Sequence, residues 1–181
     1  CIRDSQSAFL LGVPGAGKSF SAKELIAFLM LHPDYANDDI LICDPEGEFG
    51  ALVKALGREK ATVAHLVAGG KDRLNAMYMV EGYGEQNPIV EKSQFVMSLI
   101  EQIDKRGVGP QHKSIIDRCT ALVYQDAERT GKPATLYDLR NKLLEQPEEK
   151  AKGIALSLEL FTTGSLDIFC HESTAVSYTH L

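Results

Sequence analysis

Apolar and polar positions along the chain fall into two textures. Up to about residue 81, short unbroken apolar runs alternate with turn residues. Ala8-Phe9-Leu10-Leu11, Ile40-Leu41-Ile42-Cys43 and residues 61–67 are three such runs. Continuous runs of this length predict strands buried on both faces, as in a parallel sheet. Between the first two, Phe20, Ala22, Leu25, Ile26, Leu29 and Met30 recur at the 3.6-residue period. This predicts a helix over 18–31 with a broad apolar face for a sheet to cover. His32-Pro33 ends it, because a residue before proline is pushed out of the α region. A short helix follows over 49–56, stopped by Gly57. Residues 75–80 predict a short extended piece, with Asn75 either a loop anchor or a site-lining residue.

From Gly82 the period changes. Gly82-Tyr83-Gly84 and Asn87-Pro88 are loop signals. Residues 89–105 then place Phe95, Val96, Leu99, Ile100 and Ile103 on one face. Residues 111–129 do the same with Ile115, Ile116, Cys119, Leu122 and Val123, after a break at Gly107-Val108-Gly109-Pro110. Thr135 predicts an N-cap for a helix over 136–146, with Asp138 completing a capping-box variant. Residues 148–161 present Ala151, Ile154, Ala155, Leu158 and Phe161, and Glu148-Glu149-Lys150 reads as a solvated first turn. Ser165-Leu166-Asp167-Ile168-Phe169 reads as a return toward the sheet.

These patterns predict an α/β fold, a partial parallel sheet carrying an all-α insertion. The expected divisions are residues 1–81 for the N-terminal part of the core and 82–164 for the insertion. Residues 165–174 start the return, and 175–181 form a tail foreign to the gene. Both ends read as cut, residue 1 being Cys.

The chemistry concentrates in Gly12-Val13-Pro14-Gly15-Ala16-Gly17-Lys18-Ser19, which satisfies G-x-x-x-x-G-K-[ST] at every required position. Glycines let the backbone close around a phosphate chain, and the following helix N-terminus aims N–H groups at the anion. Residues 12–19 and Phe20 are therefore the expected nucleotide-binding set, for ATP with Mg²⁺. Lys18 is expected on the β/γ-phosphates and the Ser19 hydroxyl on Mg²⁺. Asp44-Pro45-Glu46-Gly47-Glu48-Phe49 follows the second apolar run. Asp44 and Glu46 can hold Mg²⁺ through water or orient an attacking water. Equally, this is a polar loop in which neighbouring backbone holds Asp44.

Composition changes little. In 181 residues, hydrophobic residues make up 44% and charged residues 24%, with a net charge of −6. That average shows no face for gripping nucleic acid electrostatically. Cys1, Cys43, Cys119 and Cys170 form no C-x-x-C, and with His32, His65, His112, His171 and His180 they make no metal-ligand spacing.

G-V-P-G-A-G-K-S-F-S-A-K-E-L, I-L-I-C-D-P-E-G-E-F, N-A-M, K-S-I-I-D-R and F-T-T-G-S-L-D-I-F together resemble the VirB-four-like ATPases. These power conjugative transfer and type IV secretion, especially in mobile elements of Gram-positive gut bacteria. The resemblance spans residues 2–172. It implies a RecA-like P-loop core with an all-α insertion, in a homo-hexamer at the cytoplasmic face of the cell membrane. The implied partners are the channel components of the conjugation or secretion apparatus, with direct DNA contact left open. Lys18 carries over as the phosphate-binding lysine and Ser19 as the Mg²⁺ ligand.

The family's Walker B strand and catalytic glutamate lie downstream of the helical block. No apolar run followed by Asp-Glu occurs after residue 164. The catalytic residues are thus expected outside this chain, as is any arginine finger. With a RecA-like strand order Asp44 is not the Walker B residue; with a kinase-like order it is. Two other readings stand beside this one: a DNA translocase of the same superfamily, and a nucleotide-binding module without hydrolysis.

Overall fold

Every buried side chain among the described residues lies between 75 and 170. The computed structural model describes residues 9–35, 40–57, 60–79, 87–104 and 108–173. The chain divides into two units, at Thr62 and Val63. Ala8, the loop signal at Gly82-Tyr83-Gly84 and the tail over 175–181 lie outside the described residues.

The first unit holds α1 (Lys18–Leu31), a 3-10 turn (Pro33–Tyr35) and α2 (Gly50–Leu56). Helix α1 forms where the periodicity places it. Its hydrogen bonds are internal to the segment, and its Ala, Leu, Lys and Glu are good helix formers. The N–H of His32 closes the last turn onto Phe28 and Leu29 carbonyls.

The sheet that α1 was expected to cover is absent among the described residues. Residues 9–13, 40–44 and 61–67 have no regular secondary structure, and no strand occurs among the described residues. Phe9, Leu11 and Leu41 are 87%, 90% and 97% exposed, and no residue of α1 is buried. The third run folds onto itself instead: the N–H of Val67 donates to the His65 carbonyl at 3.1 Å and that of Gly70 to the Val67 carbonyl at 2.8 Å. The His65 N–H donates to the Asp72 carboxylate at 2.7 Å. The described architecture is therefore helical, and the expected α/β, RecA-like core with its partial parallel sheet is corrected. A strand needs a neighbour to pair its N–H and C=O groups, and none of these runs has one.

The second unit contains α3 (Pro88–Ile103), α4 (Pro110–Thr130), α5 (Leu136–Leu144), α6 (Glu149–Ser157), α7 (Glu159–Thr162) and a 3-10 turn (Asp167–Phe169). Local signals set the ends. Asn87 caps α3, accepting from the Val90 N–H, with Pro88 at the first position. Gly131, at φ 69°, terminates α4 in the left-handed conformation. Thr135 and Asp138 form the reciprocal capping box of α5. One core joins them: Val96 and Ile100 of α3, Ile116 and Cys119 of α4, Leu139 and Leu143 of α5, and Ile154 of α6. At the rim, Arg118 pairs with Glu148 at 2.7 Å and Arg140 with Glu159 at 3.3 Å. Glu148 is thus an ion-pair partner and not merely a solvated first-turn acid, and the Arg118 guanidinium holds its carboxyl below the usual range.

The return expected over 165–169 is a turn and a 3-10 helix that grip residues 74–77. The Leu74 N–H donates to the Ile168 carbonyl at 2.9 Å, and the Ala76 N–H to the Phe169 carbonyl at 3.1 Å. Asn75 is the anchor at the centre. Its amide nitrogen donates to the Ala134 carbonyl at 2.8 Å, and its amide oxygen accepts from the Met77 N–H at 3.0 Å. The Tyr124 hydroxyl donates to the Met77 carbonyl at 2.7 Å.

Gly164 permits the turn between α7 and this grip. A Cβ there would lie 2.8 Å from the Leu160 Cα and 2.9 Å from its carbonyl oxygen. Gly164→Ala is expected to destabilise the unit by about 2 kcal/mol. At Gly153, inside α6, a Cβ meets nothing within 4 Å. Gly153→Ala is expected to stabilise by about 0.5–1 kcal/mol. Denaturant midpoints of the two variants, moving in opposite directions, check this.

Candidate functional site

Residues 12–19 form a tight turn running directly into α1. The Ala16 N–H donates to the Val13 carbonyl at 3.1 Å. Gly15 and Gly17 sit at φ 82° and 84°, the left-handed region that side chains rarely enter. At Gly12 a Cβ would stand 3.2 Å from the Ala16 Cβ and 3.5 Å from the Lys18 Cγ, so a larger residue would press on the lysine stem.

Gly17 is the N-cap, so Lys18, Ser19 and Phe20 are the first three residues of the helix. First-turn N–H groups have no intrahelical acceptor, and they carry the positive end of the helix dipole. No acidic residue occupies that turn to compete with an anion. Lys18 folds back over the loop, its Nζ donating to the Gly12 carbonyl at 2.8 Å and the Val13 carbonyl at 3.1 Å. Val13, Pro14 and Phe20 are exposed around the rim, and Ser19 is half-buried at the second helix position.

A phosphate chain fits this set: left-handed glycines, first-turn N–H groups and one ammonium converge on a turn with no carboxylate in it. Such a group would be held by Lys18 and the loop amides, with Ser19 offering a hydroxyl to Mg²⁺. Among the described residues, no cluster of three or more His, Cys, Asp or Glu could hold a metal by itself.

Asp44 and Glu46 are not placed alike. Both Asp44 oxygens face their own loop, accepting from the Glu48 N–H at 3.0 Å and the Phe49 N–H at 2.9 Å. The Phe49 N–H is the largest cause holding the Asp44 carboxyl below its usual range. Gly47, at φ 71°, makes the bend, and Glu46 sits exposed on it. Two residues that sequence reasoning passed over complete the arrangement. Lys23 of α1 places its ammonium 5.3 Å from the centre of the Phe49 ring. This contact joins segments far apart in sequence, so no local signal marked it.

In the helical unit, a cleft of about 460 Å³ lies where α4 meets α5, lined by Asp126, Arg129, Asp138 and Lys142 among others. Its charges largely satisfy one another, Asp126 pairing with Arg129 at 2.9 Å and with Lys142 at 3.0 Å. Cys119 and Cys170 are buried, which pushes both thiols up and away from reactive thiolate.

No protein-family model matches the chain. No curated protein matches it either. Among solved structures it is similar to VirB4 of Thermoanaerobacter pseudethanolicus, with a TM-score of 0.64 over 88% of this chain. The fold is VirB4-like. At 20% identity the likeness is one of fold, and the chain spans 62% of that VirB4 chain. The backbone follows the VirB4-like path without strand pairing among the described residues. No helix among them is long and apolar enough to cross a membrane.

Proposed function

We propose that the chain is the ATP-binding part of a motor ATPase that energises conjugative DNA transfer or type IV secretion. The observation that carries this reading is the turn over residues 12–19, with its two left-handed glycines and Lys18 at the head of α1. The VirB4-like fold supports the assignment to a secretion motor. Lys18 engages the β/γ-phosphates, Ser19 ligates Mg²⁺, and the loop amides hold the chain of phosphates. Bound ATP supplies a phosphoanhydride whose cleavage releases energy for movement. The working form is a homo-hexamer against channel components at the cytoplasmic face of the membrane, of the kind carried by Gram-positive mobile elements.

As it stands, this chain binds nucleotide without hydrolysing it. The specific observation favouring that is Asp44, one of the two carboxylates expected from sequence to orient an attacking water. Both of its oxygens are engaged by backbone N–H groups. Phosphate release from Mg²⁺-ATP by the 181-residue chain is expected at the buffer background. Steady turnover that Lys18→Ala removes would contradict it.

A further inference from the structure

One contact within the first unit bears on the nucleotide loop. Ser19 and Lys23 are four residues apart on α1, hence on the same face and about one turn from each other. Lys23 lies over the Phe49 ring at 5.3 Å. Phe49 is in turn held by Asp44, whose Oδ2 accepts its N–H at 2.9 Å while Oδ1 accepts that of Glu48 at 3.0 Å. The Gly47 N–H donates to the Asp44 carbonyl at 3.4 Å, closing the bend. Asp44 and Lys23 also attract one another.

We infer that Asp44 is a positioning residue and not a ligand of Mg²⁺: its carboxylate shapes the 44–49 loop and, through Phe49 and Lys23, braces the helix face that carries Ser19. This rests on the nucleotide-binding reading. The chemistry separates the two roles. A metal ligand acts only when the metal is present. A brace acts on the loop and helix whether or not Mg²⁺ accompanies the nucleotide. It also acts through Lys23 and Phe49, neither of which offers an oxygen ligand to Mg²⁺.

The test is calorimetric titration of the full chain with ATPγS, once with Mg²⁺ and once with EDTA. Asp44→Ala is expected to weaken binding roughly two- to fivefold in both, the size of an exposed cation–π contact. Lys23→Met and Phe49→Ala are expected to give the same loss. The Asp44→Ala/Lys23→Met pair should lose no more than either alone. Lys23→Arg, whose guanidinium also stacks on an aromatic ring, should retain wild-type affinity. A loss confined to the Mg²⁺ titration, with Lys23→Met behaving as wild type, overturns the inference.

A second measurement needs no nucleotide. In ¹H–¹⁵N spectra, Asp44→Ala is expected to shift the Glu48 and Phe49 amide signals, and in aromatic ¹H–¹³C spectra Lys23→Met is expected to shift the Phe49 ring signals. Signals of α1 that remain dispersed show that the first unit of each variant is folded. Unmoved Glu48 and Phe49 signals overturn the inference as well. Should the wild-type chain bind no ATPγS, the proposed function fails, and the spectra still decide whether Asp44 and Lys23 shape the loop.

Discussion

Asn75→Leu is expected to cost the helical unit about 3 kcal/mol, because it leaves two buried backbone groups without partners. Leucine has nearly the same shape, so a cavity is not the cause. What is lost is the donor to the Ala134 carbonyl at 2.8 Å and the acceptor for the Met77 N–H at 3.0 Å. Each orphaned group costs about 1–3 kcal/mol. Residues 74–77 thread between α4 and the turn over 168–173, so the loss also loosens the Leu74 and Ala76 bonds to Ile168 and Phe169. For a unit of this size the melting temperature should fall by roughly 10–20 °C. Melting followed by circular dichroism at 222 nm checks it; a variant that melts with the wild type would show that Asn75 is not the anchor.

Lys18→Ala is expected to do the opposite, removing function and leaving the melt alone. A charge-assisted hydrogen bond contributes about 1.5–3 kcal/mol, and the lysine can make more than one to a phosphate chain. Affinity for Mg²⁺-ATPγS should therefore fall about a hundredfold or more. The ammonium is exposed where it bonds the Gly12 and Val13 carbonyls, and no described residue of the first unit is buried. Its removal has no core to disturb. Calorimetry and a thermal melt on one preparation separate the effects. Binding within a factor of three of wild type would contradict the assignment.

Which parts of the molecule could be read from sequence follows from where their hydrogen bonds go. Helices bond within themselves, so period and caps suffice. The spacing predicted 89–105, 111–129 and 136–146, and the helices run Pro88–Ile103, Pro110–Thr130 and Leu136–Leu144. The stretch over 148–161 contains two helices, α6 and α7, with Leu158 buried between them. Strands bond to distant residues, which an apolar run cannot supply. Phe9-Leu10-Leu11 and Ile40-Leu41-Ile42-Cys43 have the composition of buried strands but gain neither a neighbour nor a cover.

The site divides along the same line. The turn over 12–19 and its junction with α1 are local, and their pattern is visible in the glycine spacing. Asp44 left two readings open because the choice depends on the Glu48 and Phe49 N–H groups, which the composition of the loop does not orient. The Lys23–Phe49 contact spans 26 positions of sequence, and nothing near either residue announces it.

The most direct test of the central claim is a calorimetric ladder of ATP, ADP, AMP and adenosine against the full chain with Mg²⁺. The loop holds phosphates and not the base, so one site per chain should bind ATP and ADP. AMP and adenosine should bind about a hundredfold more weakly, because they lack the phosphates that Lys18 reaches. Lys18→Ala should flatten the ladder. Equal affinity for ATP and AMP, or a ladder that survives Lys18→Ala, would contradict the account.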